Sequence, residues 1–159
     1  MNEIVGNFDG RTMRVGIVSA RFNSVVVDRL EAGAIDAFVR HGVPEDNIVI
    51  TRVPGAFEIP TAARLLLAEG RVDGVVGLGC VIRGETAHYD YVCEAAIGGL
   101  AAIGRELGAP VTVGVLTTES LEQAFHRAGG KVGHKGFETA QALVEMIDLR
   151  RKLRAESGA

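Results

Sequence analysis

The nine residues Gly74-Val75-Val76-Gly77-Leu78-Gly79-Cys80-Val81-Ile82 carry no charge and no strongly polar side chain. The run is less than half the roughly 20 residues that a membrane-crossing helix needs. It also lacks the in–out alternation of a strand with one wet face. What remains is a strand buried on both faces, as in parallel sheets. Helices must then cover both faces of such a sheet.

The flanking sequence supplies them. Residues 14–19 (RVGIVS) form a β-branched run, and residues 24–40 repeat apolar side chains at Val27, Leu30, Ala34, Ile35 and Phe38, a helical stripe closed by Gly42. Residues 47–53 (NIVITRV) read as a second strand ended by Pro54-Gly55, and residues 60–68 as a helix with Pro60 in its first turn and Gly70 past its end. After residues 74–82, a long helix starts at Thr86 and carries Val92, Ala96, Leu100, Ile103 and Leu107. Residues 111–116 are the fourth strand, and Ser120 with Gln123 makes a capping-box start for a short helix. A Gly-rich turn over residues 129–136 leads into a last helix with Phe137, Ala140, Val144 and Ile147. With no repeat and no linker, residues 1–159 predict one domain: a parallel sheet between two layers of helices.

Charge and composition narrow the function. Lys+Arg 17 against Asp+Glu 20 leaves a net charge of −3, so no basic face for nucleic acid is expected. Residues 1–9 lack the cationic start and apolar core of a signal peptide, and Cys80 and Cys93 have neither C-x-x-C spacing nor metal-type partners. The expectation is a soluble cytoplasmic chain with reduced cysteines, no membrane contact and no metal. Val76-Gly77-Leu78-Gly79-Cys80-Val81-Ile82 opens like a dinucleotide fingerprint but has Ile82 where its third glycine belongs. No phosphate-loop motif threads residues 129–135, and Ala20-Arg21-Phe22-Asn23 lacks the phosphate loop of a flavin electron carrier.

In parallel sheets ligands gather beyond the carboxyl ends of the strands. Residues 20–23, 54–58, 83–88 and 117–119 leave those ends and should line one rim. Gly84-Glu85-Thr86 sits where a helix start favours an anion, although Thr86 also reads as an ordinary N-cap and Glu85 as a first-turn acid. His88, one turn in, is either catalytic or structural. Phe22 either stacks on a planar heterocycle or plugs the sheet end. Glu58 and Arg127 have equally good readings as surface charges, and the basic run 150–154 reads as a solvated helix end.

Together these segments resemble the lumazine synthase family over nearly the whole chain. The likeness rests on Arg21-Phe22-Asn23, on Val53-Pro54-Gly55-Ala56-Phe57-Glu58-Ile59-Pro60, on the stretch Gly79-Cys80-Val81-Ile82-Arg83-Gly84-Glu85-Thr86-Ala87-His88-Tyr89-Asp90, on Gly114-Val115-Leu116-Thr117-Thr118-Glu119 and on residues 127–136. The resemblance implies a flavodoxin-like α/β/α sandwich with a four-stranded parallel sheet and an N-terminal segment that adds a strand to a neighbouring subunit. It implies a riboflavin-pathway transferase that condenses 5-amino-6-(D-ribitylamino)uracil with 3,4-dihydroxy-2-butanone 4-phosphate, releasing phosphate and water, without metal or redox cofactor. By the same resemblance Phe22 stacks on the pyrimidine, Ala56, Phe57 and Glu58 hold the ribityl chain, and the backbone at Cys80, Val81 and Ile82 reads the ring. Glu85 and Thr86 with Arg127 hold phosphate, His88 shuttles protons, and Arg127 and Lys135 arrive from the adjacent subunit. A homopentamer is implied as the minimum assembly. The short turn 129–136 points on to a sixty-subunit icosahedral shell, and riboflavin synthase is a candidate partner.

Two positions depart from the family's pattern. Val113 stands where an aromatic residue is common, which thins a wall of the substrate pocket, and His134 stands where Asn is common. Neither is a proton-transfer position. The competing reading, a non-catalytic flavin- or lumazine-binding or shell protein of the same fold, would be expected to have lost His88 or Arg127; both are present.

Overall fold

A computed structural model describes residues 1–157. The chain runs β1 (Val15–Ala20), α1 (Ser24–Arg40), β2 (Ile48–Val53), α2 (Ile59–Ala68), β3 (Gly74–Ile82), α3 (His88–Leu107), β4 (Val111–Thr118) and α4 (Leu121–Arg127). A small hairpin follows, β5 (Ala128–Gly130) with β6 (Gly133–His134), and then α5 (Lys135–Glu156). The four long strands form one parallel sheet in the order β2-β1-β3-β4. The chain therefore turns one way from β1 to β2 and the other way to β3, which makes the carboxyl ends of β1 and β3 the switch point where ligands collect.

Strand periodicity sorts the core into two halves. Val15 and Ile17 of β1 with Val76, Leu78 and Cys80 of β3 face α1 and α5, where Leu30, Phe38, Leu143 and Ile147 are buried. Val18 and Ala20 with Val75 face Ile59, Ala63 and Leu66 of α2 and Ala96 and Leu100 of α3. Gly77 and Gly79 belong to this second face. A Cβ on Gly77 would come within 2.6 Å of Leu100 and 2.8 Å of Ile59, and one on Gly79 within 3.1 Å of Ile59. The glycines that imitate a nucleotide motif are thus mid-strand sites against which two helices lie flat. Leu100 and Ile59 are fully buried there, and truncating either to Ala costs about 2–5 kcal/mol.

Several local expectations need correction. α3 starts at His88, not Thr86, and its N-cap is Ala87, so Thr86 is not the cap. β4 runs on to Thr118, the turn after α4 contains the β5–β6 hairpin, and a 3-10 turn (Glu45–Asn47) precedes β2. Ser120 Oγ does accept the Gln123 N–H (3.2 Å), but Gln123 Oε1 takes the Glu119 N–H (2.9 Å), so the capping box is shifted by one residue. The basic run 150–154 is no freely solvated end. Arg151 bonds to Thr12 and Asp73, and Lys152 to Asp148 and the Val5 carbonyl, which fastens the N-terminal segment to α5. No helix among the described residues is long and apolar enough to cross a membrane.

Candidate active site

A cavity of about 610 Å³ opens at the carboxyl ends of β1, β2 and β3. Its first wall comes from the loop after β1. The Arg21 N–H donates to the Val53 carbonyl (2.8 Å) and the Phe22 N–H to the Pro54 carbonyl (3.1 Å), which continues the β1–β2 pairing past the sheet. Asn23 then adopts the left-handed region (φ 59°), which Asn tolerates better than most side chains. Its Nδ2 donates to the Cys80 carbonyl (2.8 Å), strapping this loop across the switch point to β3. Phe22 is held between two anchored backbones with its ring 72% exposed on the cavity wall. In the single chain Phe22 does not pack as a buried hydrophobic plug, and its exposure favours the stacking reading.

The opposite wall is the loop after β2. Ala56 is buried, while Phe57 is 61% exposed over the cavity. Glu58 Oε2 accepts the Gly55 N–H (2.9 Å), so this carboxylate braces its own turn, with its second oxygen left for other donors. Cys80, Val81 and Ile82 line the cavity along the end of β3. Burial pushes the Cys80 thiol up to about 11, so it stays protonated and unreactive near neutrality.

Beyond β3, residues 84–87 lead into α3. No side-chain cap closes this helix, and the one contact, from the His88 N–H to Thr86 Oγ1, is long at 3.4 Å. Gly84, Thr86 and His88 all line the cavity, so the open helix end and an imidazole face the same space. Fixed N–H donors and a helix dipole suit an anion here, beside the His88 side chain.

The cavity gathers Phe22, Ala56, Phe57, Glu58, Cys80, Val81, Ile82, Thr86 and His88. Four other expected residues lie outside it. Glu85 is exposed on the loop, and Val113 is half-buried in the edge strand β4 against the α2–α3 half of the core. Arg127 donates to the Gln123 carbonyl (3.1 Å), and Lys135 pairs with Glu138 (2.9 Å). Asn23 falls in the rim segment 20–23 without an assigned role, and Tyr89 and Val92 were not placed in the site; all three line it. Val92 was legible: it lies four residues after His88 and so on the same helix face.

The family model of 6,7-dimethyl-8-ribityllumazine synthase matches residues 12–151. A 6,7-dimethyl-8-ribityllumazine synthase from Helicobacter hepaticus is 53% identical over 142 residues, covering 89% of this chain and 91% of the relative. The chain belongs to the 6,7-dimethyl-8-ribityllumazine synthase family. The span matched by the family model takes in every cavity-lining segment, together with Val113, Arg127 and Lys135.

Proposed function

We propose that the rim cavity is the larger part of the site in which this chain forms 6,7-dimethyl-8-ribityllumazine. The synthesis itself follows from family membership: the chain is a transferase of riboflavin biosynthesis. The observation that carries the site is the exposed Phe22 ring beside an uncapped helix start that presents His88. In this reading the uracil ring of 5-amino-6-(D-ribitylamino)uracil lies against Phe22 and is read by the backbone at Cys80, Val81 and Ile82. The ribityl chain runs along Ala56, Phe57 and Glu58. The phosphate of 3,4-dihydroxy-2-butanone 4-phosphate sits at the Glu85-Thr86 turn.

The amine attacks the ketone to form an imine with loss of water, phosphate is eliminated to leave an enol that becomes a second carbonyl, and the ribitylamino nitrogen closes the ring on that carbonyl with loss of a second water. Each step moves a proton, which His88 accepts and returns. Helix-end N–H groups stabilise charge on the departing phosphate, and holding two substrates in register supplies much of the remaining acceleration.

Among the described residues, none that lines the cavity of one chain supplies a cation at its phosphate end. Arg127 and Lys135 of a second copy supply it in this proposal, and the second copy's Val113 closes the wall. Exposed Tyr91 and Ile97 on α3, and the open space around Gly98, fit a pentamer in which these helices pack together. Gly99 and Gly104 need no such explanation, since they pack against Pro60 and Val111 of the same chain. Residues 1–10 contain no strand and expose Val5 and Phe8, while β2 is an open edge exposing Ile50, as strand addition between neighbours requires. Assembly into an icosahedral shell, riboflavin synthase as a partner and a cytoplasmic location complete the proposal.

Purified protein mixed with both substrates should generate the fluorescent lumazine with one phosphate released per product. No fluorescence under saturating substrates would sink the proposal. Light scattering tests the assembly: a mass near five chains that phosphate leaves unchanged would rule out the shell.

A further inference from the structure

Arg83 lines none of the cavity, yet it touches every segment that shapes the cavity's phosphate end. Its N–H donates to the Thr118 carbonyl at the end of β4 (2.9 Å). Its Nε donates to Glu119 Oε1 (3.0 Å) and its Nη2 to Asp90 Oδ1 (3.3 Å). The guanidinium lies 4.2 Å over the ring of Tyr89, and Tyr89 is one of the cavity-lining residues. One planar cation thus joins the end of β3, the loop after β4 and the first turn of α3, the turn that begins with His88.

Stability does not explain this convergence. The Arg83 side chain is 40% exposed, and its two carboxylate partners are about 60% exposed. Ion pairs so well solvated contribute little to folding. Position is what they fix. Residues 84–87 have no side-chain cap at the helix they enter, and a Cβ at Gly84 would meet nothing within 4 Å. The long contact from the His88 N–H to Thr86 Oγ1 (3.4 Å) constrains the loop only weakly, so its two ends carry most of its path. Arg83 is one end, and through Tyr89 and Asp90 it also holds the other.

We infer that Arg83 is a positioning residue that sets the Gly84–Ala87 turn and the first turn of α3 relative to the sheet, and so governs productive capture of the phosphate-bearing substrate. The inference rests on the site reading above and adds a residue to it. The pyrimidine surfaces are fixed independently, by the β3 backbone and by the Asn23 strap, so the two substrates should respond differently. A displacement of about an ångström at a reacting group can cost on the order of a hundredfold in rate.

The test measures kcat and both KM values for Arg83→Ala, Arg83→Lys, Glu119→Gln and His88→Ala. Arg83→Ala should raise KM for the butanone phosphate about tenfold and lower kcat several-fold, with KM for the pyrimidine within about twofold of wild type. Lys keeps the charge but loses the planar fork and the stacking, so Arg83→Lys should recover only part of the loss. Glu119→Gln, which removes one partner and keeps the guanidinium, should reproduce a fraction of the same KM split. Kinetic constants unchanged in Arg83→Ala, or both KM values rising equally alongside a fall in Tm, would overturn the inference. His88→Ala with unaltered turnover would count against the site reading instead, and the KM split at Arg83 would still be read on its own.

Discussion

At the amino end of the sheet, Asp73 accepts the Arg14 N–H (2.8 Å) and Arg151 Nη2 (3.0 Å), and its own N–H returns a bond to the Arg14 carbonyl (2.7 Å). Arg151 also reaches Thr12, while Asp148 accepts the Asn7 N–H (2.9 Å). At the carboxyl rim, by contrast, Phe22 and Phe57 stand exposed over an open cavity, α3 begins without a side-chain cap, and Asn23 holds a left-handed backbone. One end of the strands spends its polar groups on one another. At the other, Arg83 pairs with Glu119 and Asp90, but two aromatic rings and an uncapped helix start are left exposed around the cavity, arrangements that cost stability and persist where a ligand compensates. Stability and chemistry occupy opposite ends of the same sheet, so substitutions at the two ends should have separable effects.

The largest effect expected is at the rim. His88→Ala should lower turnover roughly ten- to a thousand-fold with pyrimidine binding largely kept, because a proton shuttle is removed but no stacking surface. A loss of thermal stability accounting for the whole decline would break the comparison. Next comes Arg127→Ala, which should raise KM for the butanone phosphate about tenfold or more while barely changing KM for the pyrimidine. Assemblies mixed from Arg127→Ala and His88→Ala subunits should regain activity, since some sites then hold both wild-type halves. Equal effects on both substrates would return Arg127 to an ordinary surface charge.

The amino end predicts the reverse pattern. Asp73→Ala leaves the Arg14 N–H without its acceptor and Arg151 with Thr12 alone, and should cost about 1 kcal/mol, a Tm loss of a few degrees, with kcat unaffected. Reduced kcat at full stability would join the two ends functionally. The smallest effect is acid-dependent. Lys135 beside Glu138 holds this carboxyl below its ordinary 4.5. Its stabilisation is therefore fully present above about 4.5 and is lost as pH falls through the lower folded value. Glu138→Gln should lower Tm slightly at pH 6 and above and by progressively less as pH falls below about 4.5, so that the acid limb of a Tm-versus-pH curve flattens; an unaltered acid limb would contradict this role for Glu138.

The elements legible in the sequence were those whose pattern is local. β3 spans Gly74–Ile82 and α1 spans Ser24–Arg40 as the apolar periodicity implies, because burial on two faces or on one stripe writes itself directly into residue spacing. α3 starts at His88 where the spacing predicts Thr86, and no side-chain cap marks that boundary. Asn23 falls in a rim segment, but its bracing role has no local signal, because its partner is a carbonyl 57 residues away. The role of Arg151 was hidden in a basic run whose acceptors, Asp73 and Thr12, lie far off in sequence. Candidate site residues emerged where the chain leaves a strand end. Arg127 and Lys135 could be named only through family likeness, since nothing in a single chain brings them to the cavity.

A crystal structure of the protein with 5-amino-6-(D-ribitylamino)uracil bound tests the central claim most directly. The account predicts the uracil ring stacked on Phe22 against the backbone of residues 80–82, the ribityl chain beside Ala56, Phe57 and Glu58, and the His88 imidazole facing the reacting amine. A pyrimidine bound anywhere else, with the rim cavity left open, would contradict it.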